Sequence, residues 1–262
     1  MSARATYDAF APFYDEYTAH HRYDEWTATL ERLARRAGLE GRRLLDVACG
    51  TGKSFLPFLE RGYEVCACDV SPAMAALAAE KAAGRARVEV HDMRALPRLG
   101  EFDLVCCLDD AVNYLETEGD LVDAFTSLRR NLAPNGVVMF DANTLLAYRT
   151  YFASARVVQS PGRVLVWDGR TPEDLPAGGA ARGELLALER GAEWWSRTRL
   201  EDRQRHHASA TVRSTLAAAG LPWVATYGMR LDGSVADGFD ELASTKALYV
   251  ARASAPEQGE GR

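Results

Sequence analysis

The sequence predicts an α/β fold, a doubly wound and mostly parallel seven-stranded sheet with an antiparallel β insertion after the fifth strand. Between about residues 41 and 145, short apolar segments alternate with helical ones, which is typical of a parallel sheet covered on both faces. After residue 145, apolar residues alternate with polar ones, which indicates strands with one face in solvent. These two observations carry the prediction.

The first half of the chain contains five predicted strands and the helices between them. Aromatic residues from Tyr7 to Tyr17 recur at spacings of three and four, the helical period, and a second helix ends before Gly38. Ser71 and Pro72 begin a helix, because Ser caps a first turn and Pro fits its first position. The predicted strands are 44–48, 63–68, 87–90, 102–108 and 136–140, and two further helices are 55–60 and 121–132.

The second half of the chain changes in character. Residues 156–167 and 184–199 are predicted to be β segments, and the Pro- and Gly-rich segment 170–183 between them is predicted to be a loop. A helix at 209–219 and strands at 223–229 and 246–251 complete the sheet. We therefore divide the chain into an N-terminal helical cover (1–40), an α/β core (41–145), a β-rich insertion (146–208), a C-terminal part of the sheet (209–253) and a disordered tail (254–262).

Composition narrows the classes of protein. The chain has 262 residues, 47% of them apolar, and a net charge of -6, which argues against broad binding to nucleic acid. It has neither the ~20-residue apolar run of a membrane span nor a visible signal peptide, so we expect a soluble, cytoplasmic protein. Its five cysteines form no C-x-x-C pair, and we expect buried thiols without disulfides and no metal site.

The most informative segment is a strand that ends in a glycine turn, residues 44–52. Asp46 lies near the end of the strand, where a carboxylate can pair with an ammonium group, and Gly50 and Gly52 allow the backbone to approach a ligand closely. A phosphate-binding loop needs glycine where Val47 stands, and a dinucleotide-binding turn needs glycine where Phe55 stands. An ordinary strand–helix turn with incidental glycines stays open.

Polar residues also follow the next three strands. Asp69 comes about twenty residues after the glycine turn, where an acid accepts hydrogen bonds from ribose hydroxyls; alternatively it is an acid that favours a helix start. Asp92 can accept from the amine of adenine and Met93 can pack on its ring, although both also suit an ordinary polar strand end. The loop after strand four holds two acids, an amide and a phenol, at residues 109–114.

Together these residues resemble the class I methyltransferases that use S-adenosylmethionine (SAM). Residues 45–52 are similar to the glycine motif of glycine N-methyltransferase-like enzymes, and residues 11–15 to an N-terminal box that covers the donor. The resemblance implies that Asp46, Gly50 and Gly52 hold the methionine end of SAM and Asp69 its ribose. It further implies contacts from Tyr14 over the donor and from Asp92 and Met93 to adenine, with Ala48, Val70, Met74 and Leu108 beside them.

The acceptor is less constrained by the sequence. The candidate general bases are His206, His207, Asp109 and Asp110, although the histidines equally suit an exposed helix entry. The aromatic residues that can line an acceptor pocket, or simply pack in the core, are Tyr7, Trp26, Tyr114, Trp194 and Trp195. We favour a small-molecule acceptor with a nitrogen or oxygen nucleophile. The alternatives are a tRNA or protein methyltransferase and a SAM-binding regulatory protein without activity.

Overall fold

The computed structural model describes residues 2–253, so the predicted disordered tail at 254–262 lies outside the described residues. The α-helices of this part of the chain are α1 (Ala3–Tyr17), α2 (Tyr23–Arg36), α3 (Leu56–Glu60), α4 (Pro72–Ala82), α5 (Glu118–Arg130), α6 (Leu145–Thr150) and α7 (Ser209–Ala218). The strands are β1 (Arg43–Val47), β2 (Glu64–Asp69), β3 (Ala86–Val90), β4 (Phe102–Cys107), β5 (Leu132–Asn143), β6 (Ala155–Ser160), β7 (Arg163–Gly169), β8 (Ala180–Arg190), β9 (Trp195–Arg205), β10 (Trp223–Met229), β11 (Val235–Asp237) and β12 (Lys246–Arg252).

The main sheet has the strand order β11-β10-β12-β5-β4-β1-β2-β3. Strands β1 to β5 pair in parallel, whereas β12 pairs antiparallel with both β5 and β10. The predicted doubly wound α/β fold is confirmed. Among the described residues the sheet has eight strands rather than seven, because the three-residue β11 adds to its edge through Gly228 and Met229 of β10. So short a strand carries no readable periodicity.

A second sheet follows the first five strands, as predicted. Its order is β6-β7-β8-β9, and every neighbouring pair is antiparallel. Strand β8 begins at Ala180, four residues before the predicted segment, so the predicted loop at 170–183 ends earlier than expected. Strand β9 likewise continues to Arg205, beyond the predicted end at 199. The longer strands bring residues 200–205 against the rest of the molecule, where they matter for the site.

The main sheet buries an apolar layer on each face. Leu104 and Cys106 of β4 belong to the layer beneath α2 and α3, whereas Val105 and Cys107 belong to the layer beneath α5 and α7. Successive side chains of a strand point to opposite faces, so a strand between two helical layers must be apolar throughout. This explains the unbroken apolar run of β4. All five cysteines are buried and free, as the sequence predicts.

Strand β5 corrects one sequence prediction. The predicted strand 136–140 follows a turn at 134–136, but the structure continues the strand from Leu132 to Asn143. The turn residues form an irregularity within it: Asn135 has a φ of 65° and the register with β4 shifts there. A Cβ on Gly136 would lie 2.9 Å from the carbonyl oxygen of Phe102, so glycine is required at this close approach of two strands.

Helix boundaries follow from capping side chains. The Ser71 hydroxyl accepts from the Met74 amide at the start of α4, with Pro72 in the first turn, as the sequence predicts. Helix α5 begins with a capping box between Thr117 and Asp120 and therefore starts earlier than the predicted residue 121. Helices α4 and α5 are thereby fixed beside the carboxyl ends of β2 and β4. Within residues 2–253, no helix is both long and apolar enough to cross a bilayer.

Candidate active site

The turn after β1 has a backbone that only small residues accommodate easily. Ala48, Gly50 and Gly52 have φ values of 58°, 53° and 88°, all in the left-handed region. A Cβ on Gly52 would lie 2.9 Å from the Phe55 ring and 3.3 Å from the backbone of Ala78. The backbone of this turn is therefore tightly specified at the carboxyl edge of the sheet, the edge where ligands bind in open α/β folds.

Asp46 has a buried carboxyl group with unused hydrogen-bonding capacity. The residue is 1% exposed. Its Oδ2 atom accepts a hydrogen bond from the Ser54 hydroxyl, whereas Oδ1 is buried without a partner. Burial raises the pKa of Asp46 to about 7, because desolvation disfavours the charged form. A cationic partner beside Oδ1 would restore the carboxylate.

Asp69 connects the end of β2 to the glycine turn. Its Oδ2 atom accepts from the Gly50 amide and its Oδ1 atom from the Ser71 amide, both at 2.8 Å. Burial raises the pKa of Asp69, and these backbone bonds act in the opposite direction. Each carboxylate oxygen can accept a second bond, so Asp69 retains capacity for a ligand. Val70 follows it and is half-buried, and Met74 is fully buried in the first turn of α4.

The residues predicted to contact adenine follow β3. Asp92 accepts from the Arg94 amide and forms an ion pair with the Arg94 guanidinium, which lowers the pKa of Asp92. Met93 packs against the core layer that holds α5, and Leu108 is buried at the end of β4. These residues lie at the same sheet edge as Asp46 and Asp69, because the carboxyl ends of parallel strands meet there.

Helix α1 covers the glycine turn. A Cβ on Gly50 would lie 3.7 Å from the Tyr14 ring, so the phenol lies directly over the turn. The Thr51 hydroxyl donates to Asp15 at 2.6 Å, and the Lys53 ammonium donates to the Thr18 carbonyl at the end of the helix at 3.0 Å. The N-terminal box and the glycine turn therefore form one surface.

An acidic loop after β4 completes this edge. Asp109 and Asp110 have φ values of 56° and 54°, two consecutive left-handed residues that need support from their surroundings. Lys246 supplies it, because its ammonium group lies 2.7 Å from Asp110 and 2.6 Å from Asp141. The Tyr23 hydroxyl donates to Asp109 at 2.6 Å. Burial acts to raise the pKa of Asp109, but Lys246 and the Tyr23 hydroxyl act more strongly together with nearby cations and hold the pKa below its usual range.

Helix α1 and strand β9 meet beside the acidic loop. The Tyr7 hydroxyl donates to the Tyr114 hydroxyl at 2.8 Å, which joins α1 to the segment after β4. The Gln204 amide of β9 donates to Asp110 at 2.7 Å. Asp202, also on β9, has a buried Oδ1 atom without a partner. Two of the predicted acceptor residues, Tyr7 and Tyr114, are thus brought together beside the acidic loop.

The two histidines are held by the scaffold. The Nδ1 atom of His206 accepts from the Gly178 amide at 3.0 Å, and its Nε2 atom lies 3.1 Å from a carboxylate oxygen of Glu241. His207 Nε2 lies 2.9 Å from the Leu115 carbonyl, and burial lowers the pKa of His207 to about 4. Both side chains are buried rather than exposed at a helix entry. Their role as general bases stays a prediction.

The three tryptophans lie away from the tyrosine pair. Trp194 and Trp195 are 79% and 52% exposed in and beside the turn between β8 and β9. Trp26 packs from α2 onto the core layer beneath that helix. Three further residues of this region, Asp202, Gln204 and Lys246, were not predicted from the sequence as site residues.

Part of the chain matches known methyltransferases. Residues 44–136 match the family model described as a methyltransferase domain. One relative is YqeM of Bacillus subtilis (strain 168), which is named as a methyltransferase. It is 36% identical to this chain over 141 residues, which are 53% of this chain and 56% of that protein. The chain thus matches about half the length of this curated relative. These matches show a methyltransferase domain at residues 44–136, as the resemblance to the class I SAM-dependent methyltransferases implies.

Solved structures extend the similarity beyond this domain. A SAM-dependent methyltransferase from Clostridium acetobutylicum superposes with a TM-score of 0.78 at 21% identity, over 94% of this chain and 98% of that one. A SAM-bound amino pentose methyltransferase of calicheamicin biosynthesis, from Micromonospora echinaspora, has a TM-score of 0.68 at 25% identity, over 89% and 92% of the two chains. The insertion sheet therefore belongs to a fold found in other methyltransferases.

The residues at the turn fit SAM. The unpartnered Oδ1 atom of Asp46 suits the α-ammonium group of its methionine end. Gly50 and Gly52 leave the backbone of the turn free of side chains, and Asp69 keeps lone pairs for hydroxyl donors. This fit rests on the carboxylate oxygens that have no partner or a free lone pair in the structure. The turn lies within residues 44–136, the matched domain.

Proposed function

We propose that the protein transfers the methyl group of SAM to a nitrogen or oxygen atom of a small molecule. The observation that carries the proposal is the adjacency of two unsatisfied sites. The carboxyl of Asp46 lies at the glycine turn, and the carboxyl of Asp202, whose Oδ1 atom also lacks a partner, lies with Tyr7 and Tyr114 beside the loop that follows β4. SAM supplies an electrophilic methyl group when it is bound.

In this proposal the residues of the turn bind the donor. Asp46, Gly50 and Gly52 hold its methionine end and Asp69 its ribose. Asp92 and Met93 contact adenine, for which Asp92 has to use oxygen lone pairs that the Arg94 pair leaves free. Tyr14 excludes water from above. Methyl transfer needs little from the protein beyond alignment of the reacting atoms and exclusion of water.

The burial of the Asp202 carboxyl suits a small acceptor. Helix α1, the segment Ala111–Tyr114 and β9 meet around it, and Gln204 bonds to both Asp110 and Asn143. Of the predicted bases, Asp109 has one oxygen engaged by the Tyr23 hydroxyl. The similarity to an amino pentose methyltransferase supports a metabolite acceptor.

Two measurements test the proposal. Calorimetry should show binding of SAM and of S-adenosylhomocysteine, without competition from NAD or ATP. Incubation with methyl-labelled SAM and a metabolite extract should move label into small molecules. A folded protein that binds neither sulfur compound would refute the proposal, and donor binding without transfer would indicate a regulatory protein.

A matched pair of variants localises the donor site. Asp69→Asn should weaken SAM binding, because the amide bears no charge and presents one acceptor oxygen instead of two. Glu64→Gln makes the same chemical change at the exposed opposite end of β2 and should leave SAM affinity unchanged. Equal affinities for both variants would remove Asp69 from the donor site.

A further inference from the structure

Asp202 lies on the inward face of a strand whose sequence is mostly polar. Along β9, Leu200 and Gln204 are buried, whereas Glu201 and Arg203 are exposed. Because side chains alternate along a strand, Asp202 shares its face with Leu200 and Gln204. Leu200 packs in the cluster that contains residues of α1. The carboxyl of Asp202 therefore points toward α1 and the acidic loop.

The carboxyl of Asp202 has one oxygen atom that no hydrogen bond satisfies. Its Oδ1 atom is inaccessible to solvent and has no hydrogen-bond partner. Burial raises the pKa of Asp202 to about 7, while the Tyr114 hydroxyl beside it acts in the opposite direction. An unpaired carboxylate in such a place costs free energy unless a cation or a donor reaches it.

The described residues around Asp202 do not supply a free cation. The charged side chain that acts on the Asp202 carboxyl is Asp110, which is also negative. The ammonium group of Lys246 is engaged by Asp110 and Asp141, and the Gln204 amide is engaged by Asp110. The surroundings of the Asp202 carboxyl are thus electronegative.

Two tyrosine rings lie beside the Asp202 carboxyl. The rings of Tyr7 and Tyr114 meet edge to face, with centroids 5.4 Å apart and planes at 75°. Their hydroxyl groups bond to each other. Aromatic faces beside a carboxylate attract an organic cation through their quadrupoles, and an ammonium group would satisfy the unused oxygen of Asp202.

We propose that Asp202, with Tyr7 and Tyr114, forms the acceptor subsite, and that the acceptor is a primary or secondary amine that binds there as an ammonium ion. This inference rests on the proposed function and narrows its nitrogen-or-oxygen acceptor to nitrogen. Asp202 then accepts one N–H proton, and the electron pair of that bond stays on nitrogen as the lone pair that methylation requires. The carboxylate thus acts both in recognition and as the base.

The acceptor class is testable before the acceptor is known. A metabolite extract of the source organism is divided, and one half is treated with acetic anhydride in aqueous bicarbonate, which blocks primary and secondary amines. Each half is incubated with the protein and methyl-labelled SAM. We expect acetylation to abolish label transfer. Transfer that resists acetylation would overturn the inference.

Matched variants assign the subsite to Asp202. Asp202→Asn should lower label transfer from dilute extract at least about 10-fold, as for a lost hydrogen bond to a charged group, with SAM affinity within twofold of the wild type. Glu201→Gln, the same change on the exposed face of β9, should transfer label at the wild-type rate. Wild-type transfer by Asp202→Asn overturns the inference while donor binding persists, whereas loss of SAM binding by the wild-type protein refutes the proposed function instead.

Discussion

Replacing Asp202 by Asn should stabilise the protein at alkaline pH. Asn has the same shape as Asp and no charge, so it removes the cost of an ionised carboxyl that is buried beside Tyr114 and Asp110. Functional groups that wait for a ligand are commonly held in such unfavourable surroundings. The stability of the ligand-free protein therefore reports on the same feature as activity, without any need for an acceptor.

The pH dependence of the effect follows from the raised pKa of Asp202. Below about pH 4 the carboxyl is protonated in both the folded and the unfolded chain, so variant and wild type should differ little. Between the ordinary value of 3.8 and about 7, the unfolded chain releases the proton that the folded chain keeps, so wild-type stability falls as pH rises. Above about pH 7 the full cost is present.

The size of the effect follows from the same two values. The interval from 3.8 to about 7 corresponds to about 4 kcal/mol, at 1.36 kcal/mol for each pKa unit. The Oδ1 atom is inaccessible, but the residue as a whole keeps an intermediate exposure, so solvent screening reduces this to about 2 kcal/mol. Asp202→Asn should therefore raise the free energy of unfolding by about 2 kcal/mol at pH 8 and leave it unchanged near pH 4.

Urea unfolding followed by circular dichroism at pH 4, 6 and 8 measures this difference. Glu201→Gln, on the exposed face of the same strand, should show no trend with pH. A variant that is destabilised equally at all three values would refute the reasoning, because Asp202 would then be stabilised in the folded protein by contacts that its Oδ1 atom lacks here.

Three further predictions concern the donor turn and the histidines. Asp69→Ala should weaken SAM binding by about 1.5–3 kcal/mol in calorimetry, with an unchanged circular dichroism spectrum; undiminished affinity would leave Asp69 as a helix-start acid. Because burial raises the pKa of Asp46 to about 7, the Kd for SAM should increase about 10-fold for each pH unit below that value, and Asp46→Asn should bind weakly without this dependence. His206→Ala should lower the free energy of unfolding by about 1–3 kcal/mol, since it leaves the Gly178 amide unpaired; a variant of full stability whose turnover drops at least about 10-fold would instead support a general base.

The meeting of the proposed donor residues at one sheet edge was predictable because these residues are local in sequence. Asp46, Gly50 and Gly52 lie within one strand–turn segment, and Asp69 ends the next strand. Parallel pairing of β1 with β2 brings these strand ends together without further information. A sequence that predicts the sheet therefore also predicts which residues meet at its edge.

The acceptor half was not predictable because its residues meet only in the folded chain. Strand β9 is so polar that its inward positions carry no apolar alternation apart from Leu200, and Asp202 looks like one surface acid among many. Lys246 equally resembles a surface lysine, since lysine is rarely buried unless paired. Only the pairing of β12 with β5, which places Lys246 opposite Asn143, brings it to Asp141 and the acidic loop.

The proposed function separates two binding tasks along the chain. The proposed donor residues lie between Asp46 and Leu108 in the main sheet, apart from Tyr14 in the cover, whereas Asp202 and Gln204 belong to the four-stranded sheet of Ala155–Arg205. On this proposal, substitutions on the inward face of β9 change which metabolite is accepted and leave the residues that hold SAM undisturbed. Residues 155–205 therefore form a segment that protein engineers can exchange between homologous methyltransferases. Such exchanges would be screened for new methylated products.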